Sequence, residues 1–274
     1  MKIVVLSGKG GTGKTTISTN LAVNIKNAVL IDTDVEEPNS HVFLNPKIED
    51  TIPVTKDYPD VDMDKCILCG KCGDFCRYNA ILPARNKVLI FKEMCHDCGG
   101  CELVCPAHAI KYIKREIGNI YSGVSKYGVK MKYGDLNVGE VSGVKIIEEL
   151  KELVKDEEMV IIDAPPGTSC STVAAATGVD YAIVVSEPTP FGVSDMKMVV
   201  EMLRNMNIPF GVVVNKAGLG DNEIYEYCDE ENIEILQEVP FDKEIAKLYA
   251  SGNILSYELK VYKEKIETIL KKIK

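Results

Sequence analysis

Long apolar runs are missing from this chain. None approaches the roughly 18 consecutive apolar residues that a membrane-spanning helix needs, so a helical integral membrane protein is excluded. The opening MKIVVLSGKGG has too short an apolar stretch for a secretion signal and runs straight into a glycine loop. Basic residues are in deficit, with 32 Lys and Arg against 41 Asp and Glu and a net charge of −9. A nucleic-acid partner wants a basic face, so none is expected. Tryptophan is absent. What is present describes a folded protein expected in the cytoplasm, with 46% hydrophobic and 27% charged residues over 274 positions. That length allows one large α/β domain or two modest ones. Cysteine is the exception to the scarcity: there are ten. Eight of them lie between Cys66 and Cys105, and structural disulfides are out of place in a reducing compartment. Metal or cluster ligation is the reading that remains.

The hydrophobic pattern alternates between strand and helix. Lys2–Ser7 is a short apolar run of the kind that forms a buried parallel strand. Ile17, Leu21 and Ile25 follow at helical spacing. Ala28–Asp32 is a second buried strand. The rhythm breaks near Thr51 and resumes with Met159–Gly167, Tyr181–Pro188 and Pro209–Asn215. Between the two, Asn119 to Leu136 alternates loosely, like short antiparallel strands. Helices are expected near Gly143–Lys155, Gly192–Asn205 and Asp221–Glu231. The fold expected is a doubly wound, mostly parallel α/β sheet built from residues 1–50 and 117–274. Residues 51–116 form an insert, with no long apolar strand or long helix in it. The closing Lys260–Lys274 carries Val261, Ile266, Ile269, Leu270 and Ile273 as a last core-packing helix, not a membrane tail.

Gly8-Lys9-Gly10-Gly11-Thr12-Gly13-Lys14-Thr15 fits G-x-x-x-x-G-K-[ST] between a strand and a helix. Glycines allow backbone N–H groups to curl around phosphate oxygens, and the next helix points its positive end at the anion. Lys14 is expected to reach the β- and γ-phosphates, and the Thr15 hydroxyl to hold Mg²⁺. Asp163, closing a second apolar strand, suits a Mg²⁺-linked role. Gly8, Gly10 and Gly13 also satisfy G-x-G-x-x-G, with Asp32 and Asp34 about twenty residues on, as in a dinucleotide site. Lys14 and Thr15 decide against that alternative, because close packing of helix on strand leaves no place for them. Gly8, Gly10, Gly11, Thr12, Gly13, Lys14, Thr15 and Thr16 are therefore the expected nucleotide-binding residues of the loop.

KGGTGKTT resembles the deviant Walker A loop of the MinD/ParA/Mrp ATPase superfamily, a SIMIBI-type P-loop fold that includes the nitrogenase iron protein. The resemblance implies that Lys9 crosses a dimer to the partner's nucleotide and steadies developing phosphate charge. An ATP-sandwich homodimer, or a heterodimer with a related chain, follows from Lys9 alone. Ile31–Asn39 is similar to switch I, which gives Asp34 the task of orienting or activating the attacking water and Asp32 a supporting one. Ile161–Gly167 matches switch II, with Asp163 near Mg²⁺ and the Gly167 backbone near the γ-phosphate. Val213–Ala217 and Val239–Asp242 match the base-binding segments, implying Asn215 and Pro240 at adenine.

Cys66-x2-Cys69-x2-Cys72-x3-Cys76 and Cys95-x2-Cys98-x2-Cys101-x3-Cys105-Pro106 both have bacterial ferredoxin spacing. In that architecture the fourth cysteine crosses to the other cluster. Cys66, Cys69, Cys72 and Cys105 are assigned to one [4Fe–4S] cluster, and Cys95, Cys98, Cys101 and Cys76 to the other. Structural zinc is the rival, but the doubled four-cysteine run is more specific than paired C-x2-C. Arg77 departs from the ferredoxin pattern, where proline is frequent. His96 and His108 are not needed as ligands. Cys228 reads as a small buried hydrophobe, and Cys170 as a redox or core residue. The insert is thus expected to be a small α+β ferredoxin-like domain. Three functions follow: an ATPase whose nucleotide state gates electron transfer, an ATP-dependent iron–sulfur carrier for metallocofactor assembly, and a MinD-like positioning ATPase. The first two need a redox or apo-protein partner.

Overall fold

The computed structural model describes residues 1–273; Lys274, the end of the expected last helix, lies outside the described residues. From the N-terminus run β1 (Lys2–Leu6), α1 (Lys14–Asn24), β2 (Val29–Asp32), α2 (Ser40–Leu44) and β3 (Lys47–Val61). The cysteine-bearing stretch holds α3 (Lys71–Phe75), β4 (Ile81–Pro83), β5 (Val88–Ile90) and α4 (Gly100–Leu103). Next come β6 (Ile110–Val124), β7 (Lys130–Leu136), α5 (Val144–Glu152), β8 (Val160–Asp163), α6 (Cys170–Ala176), β9 (Tyr181–Ser186) and α7 (Pro190–Asn205). The chain continues with β10 (Phe210–Ala217), α8 (Glu223–Glu230), β11 (Ile235–Pro240), α9 (Lys243–Ala250), α10 (Leu255–Glu258) and α11 (Lys260–Lys272).

Nine strands form one sheet in the order β11-β10-β9-β1-β8-β2-β7-β6-β3. Strands β11 through β7 pair in parallel, and β6 and β3 add antiparallel at one edge. The central strands explain why the apolar runs are continuous. Val4 and Leu6 of β1 enter a core beneath α5, α6, α7 and α8. Ile3 and Val5 enter the opposite core, against α1, α10 and α11. A strand covered on both faces has no solvent side to mark with polar residues. Each such Val, Leu or Ile contributes roughly 1.5–3 kcal/mol by its burial. α11 buries Tyr262, Ile266 and Ile269 in the second core, and Ile273 joins them; Val261 is exposed. Among the described residues, no helix is long and apolar enough to cross a membrane.

The edge runs into residues 51–116, expected as an insert without a long apolar strand, and the strands it places there are long but of mixed polarity. β3 and β6 are 15 residues each and pair from Lys47↔Val124 to Val61↔Ile110. Residues 51–61 and 110–116 therefore belong to the nine-stranded sheet. The strands were hard to read because the ribbon is largely solvated: in β3 only Val54 and Pro59 are buried. Val54, Ile117 and Ile120 anchor its near end in the core, and ladder hydrogen bonds hold the rest. The cysteine segment, residues 62–109, sits at the far end of this ribbon and has only the two-stranded β4–β5 sheet of its own.

Register positions the site. Val5 of β1 and Asp32 of β2 both lie opposite Asp163 of β8. Asp32 and Asp163 thus end adjacent parallel strands, beside the loop that leaves β1. This is the carboxyl edge of the sheet, where open α/β folds bind ligands.

Candidate functional site

The loop between β1 and α1 is shaped by glycines at two positions that permit nothing larger. Gly13 has φ +99°, and a Cβ there would fall 2.2 Å from Asn215 Nδ2. A Cβ on Gly8 would fall 2.4 Å from the Asp195 backbone in α7. The expected base residue Asn215, at the end of β10, donates from Nδ2 to the Thr12 carbonyl at 2.7 Å. Its neighbour Lys216 donates to the Gly11 carbonyl at 3.0 Å. β10 therefore clamps the loop from its carboxyl end.

Lys14 is buried, with Nζ 3.4 Å from Asp163 Oδ1 and 3.9 Å from Asp34 Oδ2. Burial pulls its ammonium down, but Asp163, Asp34 and Asp32 together hold it above the usual lysine range. Burial pushes the Asp32 carboxyl up to about 7, with Asp163 adding to the effect. Burial also raises Asp34 to about 6, Lys14 pulling back and Asp163 pushing up. Three carboxyls facing one ammonium leave an excess of negative charge that a divalent cation would relieve. Among the described residues, no three His, Cys, Asp or Glu come close enough to hold one ion between them. A Mg²⁺ here would take Asp163 and Thr15 from the chain and the rest from phosphate and water.

Asp32 does not face the cavity. Its oxygens accept from the backbone N–H groups of Asp34, Asn39 and Ser40 at 2.9–3.1 Å. It organises the loop that carries Asp34. Ser40, which carries no sequence signal, donates from Oγ to Asp163 Oδ2 at 2.9 Å. The Gly167 N–H, expected at the γ-phosphate, donates to the Ser7 carbonyl at 2.8 Å. A cleft of about 410 Å³ opens beside these groups; Gly10, Gly11, Thr15, Thr16, Pro240 and Phe241 are among its walls. Thr12 Oγ1 is buried without a hydrogen-bond partner. Lys9 stands apart from this cluster. Its ammonium is paired with Glu187, which also receives Lys216 at 2.9 Å. Glu187 is buried, which pushes its carboxyl up, yet the two lysines hold it below the usual range. Sequence reading missed Glu187, which matches no motif, and gave Lys216 no role although it lies in the Val213–Ala217 segment.

The cysteines form two groups at the end of the β3–β6 ribbon. Cys66, Cys69, Cys72 and Cys105 line one pocket. Cys76, Cys95, Cys98 and Cys101 line another. The backbone repeats between the halves: positive φ occurs at Leu68 and Asp97, Gly70 and Gly99, Asn79 and His108. The Ala80 N–H donates to Cys76 Sγ at 3.4 Å and, in the matching place, the Ala109 N–H donates to Cys105 Sγ at 3.3 Å. One contact has no counterpart: Tyr112 Oη lies 2.8 Å from Cys101 Sγ. His96 stacks on Tyr78 with centroids 3.7 Å apart. Of the remaining two cysteines, Cys228 is buried and its thiol pushed up to about 11 by that burial. Cys170 is exposed at the start of α6, which removes the core reading for it.

A strand, a glycine loop that clamps a buried lysine, and aspartates at adjacent strand ends define a P-loop nucleotide-binding protein. The family model described as the CobQ/CobB/MinD/ParA nucleotide binding domain matches residues 3–255, and the chain belongs to this family. It is 36% identical to an uncharacterised protein of Methanocaldococcus jannaschii, over 100% of this chain and 96% of that one. It is 24% identical to the iron-sulfur cluster carrier protein of Aquifex aeolicus, over 91% of this chain and 60% of that one. Among solved structures it resembles the septum site-determining protein MinD from Pyrococcus horikoshii complexed with Mg-ADP. That match has a TM-score of 0.60 and 19% identity, covering 98% of this chain and 93% of the other. The likeness extends to the fold.

Proposed function

We propose that this chain is a Mg²⁺-dependent ATPase that carries two [4Fe–4S] clusters and couples its nucleotide state to electron transfer. One observation carries the reading: a member of this nucleotide-binding family holds two separate four-cysteine pockets. The doubled C-x2-C-x2-C-x3-C spacing, more specific than paired C-x2-C, favours cubane clusters over single zinc ions. Cys66, Cys69, Cys72 and Cys105 would hold one cluster, and Cys76, Cys95, Cys98 and Cys101 the other. When bound, such clusters accept and pass on single electrons. Residues 62–109 act in this reading as a small ferredoxin-like module.

In the cleft, the N–H groups of Gly10 to Thr16 and the Lys14 ammonium would receive the phosphates. Asp34, raised to about 6, is ionised at neutral pH and basic enough to take a proton from water. Asn215 gives one amide N–H to the Thr12 carbonyl, and its side-chain oxygen would accept from an adenine amino group, beside Pro240. Lys9 would have to leave Glu187 to reach a partner's nucleotide in an ATP-sandwich homodimer or heterodimer.

A chain of contacts leads from the site to the ribbon and supports coupling. Ser40 touches Asp163, and the next residue, His41, stacks on Tyr133 of β7 at 4.9 Å. Tyr133 stacks on Tyr121 of β6 at 4.9 Å, and β6 leads to the cysteines. The test compares reduction potentials of the anaerobically reconstituted chain with ADP and with a non-hydrolysable ATP analogue. Potentials that differ are expected; identical ones overturn the coupling. Protein that stays colourless and iron-free after reconstitution overturns the cluster reading.

A second reading is an ATP-dependent iron–sulfur carrier, favoured by relatives from Aquifex aeolicus and Methanocaldococcus jannaschii named iron-sulfur cluster carrier protein, 24% and 25% identical. Against it, Cys95 and Cys101 are buried, and Cys101 packs with Ile81 and Ile110 in a small core. Ligands built into a core suit a retained group. A carrier hands its cluster to an apo-protein, whereas an electron donor keeps it through repeated redox cycles. A positioning ATPase would want a free amphipathic helix, and α11 does not serve as one, since it packs against α1 and β11.

A further inference from the structure

We propose that Tyr112 makes the two cysteine sites electronically unequal, so that the Cys76, Cys95, Cys98 and Cys101 site is reduced first. The inference rests on the two-cluster reading above and adds to it the order in which the sites take up electrons.

The internal repeat provides the control. Each site receives one backbone N–H on a fourth cysteine, from Ala80 on Cys76 and from Ala109 on Cys105. Those donors balance. The Tyr112 hydroxyl, 2.8 Å from Cys101 Sγ, does not balance. The residue in the repeat position of Tyr112 is Pro83, which lines the other pocket and has neither a side-chain donor nor an N–H. The thiol matching Cys101 is Cys72, and it receives no hydroxyl. The charges around the second pocket oppose each other: Arg77 and Asp74 both line it. Around the first pocket the further walls are Val61, Ile67, Leu68, Val88 and Ile110, all apolar. Burial of Cys95 and Cys101 at the second site works against its reduction; the hydroxyl is the side-chain donor that this site has and the other lacks among the described residues, and the proposal is that it outweighs the burial.

A thiolate has no proton to give, so Tyr112 is the donor when Cys101 is ligating. Reduction adds one negative charge to the site and strengthens that hydrogen bond, which stabilises the reduced form. The electron comes from an external low-potential one-electron donor, which is oxidised by one unit. No bond is broken and no proton moves. Tyr112 acts through Cys101 and is a positioning residue.

The experiment is a potentiometric titration of the full reconstituted chain with dithionite as reductant, followed by electron paramagnetic resonance. Iron is assayed first. Unsubstituted chain without iron overturns the two-cluster reading and this inference with it. With iron present, two one-electron steps are expected. Tyr112→Phe should lower the reduction equilibrium constant of the upper step about tenfold, which is about 59 mV, and leave the lower step in place. An unmoved upper step, or equal movement of both, overturns the inference alone. Cys98→Ser and Cys69→Ser test the order without touching Tyr112, since both thiols are exposed. Cys98→Ser should alter the upper step and Cys69→Ser the lower; the reverse assignment overturns the proposal.

Discussion

Lys9 and Lys14 are five positions apart in one loop and meet different carboxylates. Lys14 is buried among Asp163, Asp34 and Asp32, whereas Lys9 is paired with Glu187 near the surface. Lys9→Ala should therefore spare nucleotide affinity but lower ATP hydrolysis by about 10²-fold, the scale of one lost charge-stabilising donor. Steady-state hydrolysis beside equilibrium binding checks this, and unchanged hydrolysis removes the trans role. The carboxyls predict a pH response. Asp32 and Asp34 are raised to about 7 and about 6, burial being the main cause for each. An acid held above its ordinary value binds more protons folded than unfolded, so its stability contribution is present at low pH and lost as pH climbs through the raised value. The thermal midpoint of nucleotide-free protein should fall between about pH 4 and about pH 7. Asp34→Asn should flatten the part of that fall near pH 6, as scanning calorimetry across the range can show.

Elements differ in how much of them could be read beforehand. β1, β2, β8, β9 and β10 announce themselves because both faces are covered, which forces unbroken apolar runs. β3 and β6 carry no such mark, because the ribbon faces water and its neighbours along the chain are polar. α11 was legible from its apolar stripe. Ile266→Ala should cost about 2–5 kcal/mol of stability, since Ile266 is fully buried; denaturant unfolding measures it. The turn into α1 is the most constrained point of the site. Gly13→Ala would meet both a positive φ and the Asn215 amide. Strain of about 1–3 kcal/mol should weaken nucleotide binding by roughly tenfold or more, which titration calorimetry would detect against an unchanged fold.

At the scale of the whole molecule, a nucleotide-binding sheet and a cysteine segment are joined by one antiparallel ribbon. The segment's small core of Ile81, Cys101 and Ile110 is separate from the two cores of the sheet. On the two-cluster proposal, Cys69→Ser, which changes an exposed cysteine, should lower bound iron from about eight to about four per chain and leave ATP binding intact. Loss of both functions together would show that the segment is required for the sheet to fold. The sequence by itself determined the membership in this nucleotide-binding family, the mostly parallel sheet and the two-fold cysteine spacing. Those features are local: a loop of eight residues, apolar runs of four to eight, cysteines with two or three residues between them. Only the tertiary structure decided that Glu187 holds Lys9, that Ser40 meets Asp163 and that Tyr112 rests on Cys101. Those contacts depend on strand order and on which side chain a register brings to the carboxyl edge or the ribbon's end, and no spacing along the chain encodes that.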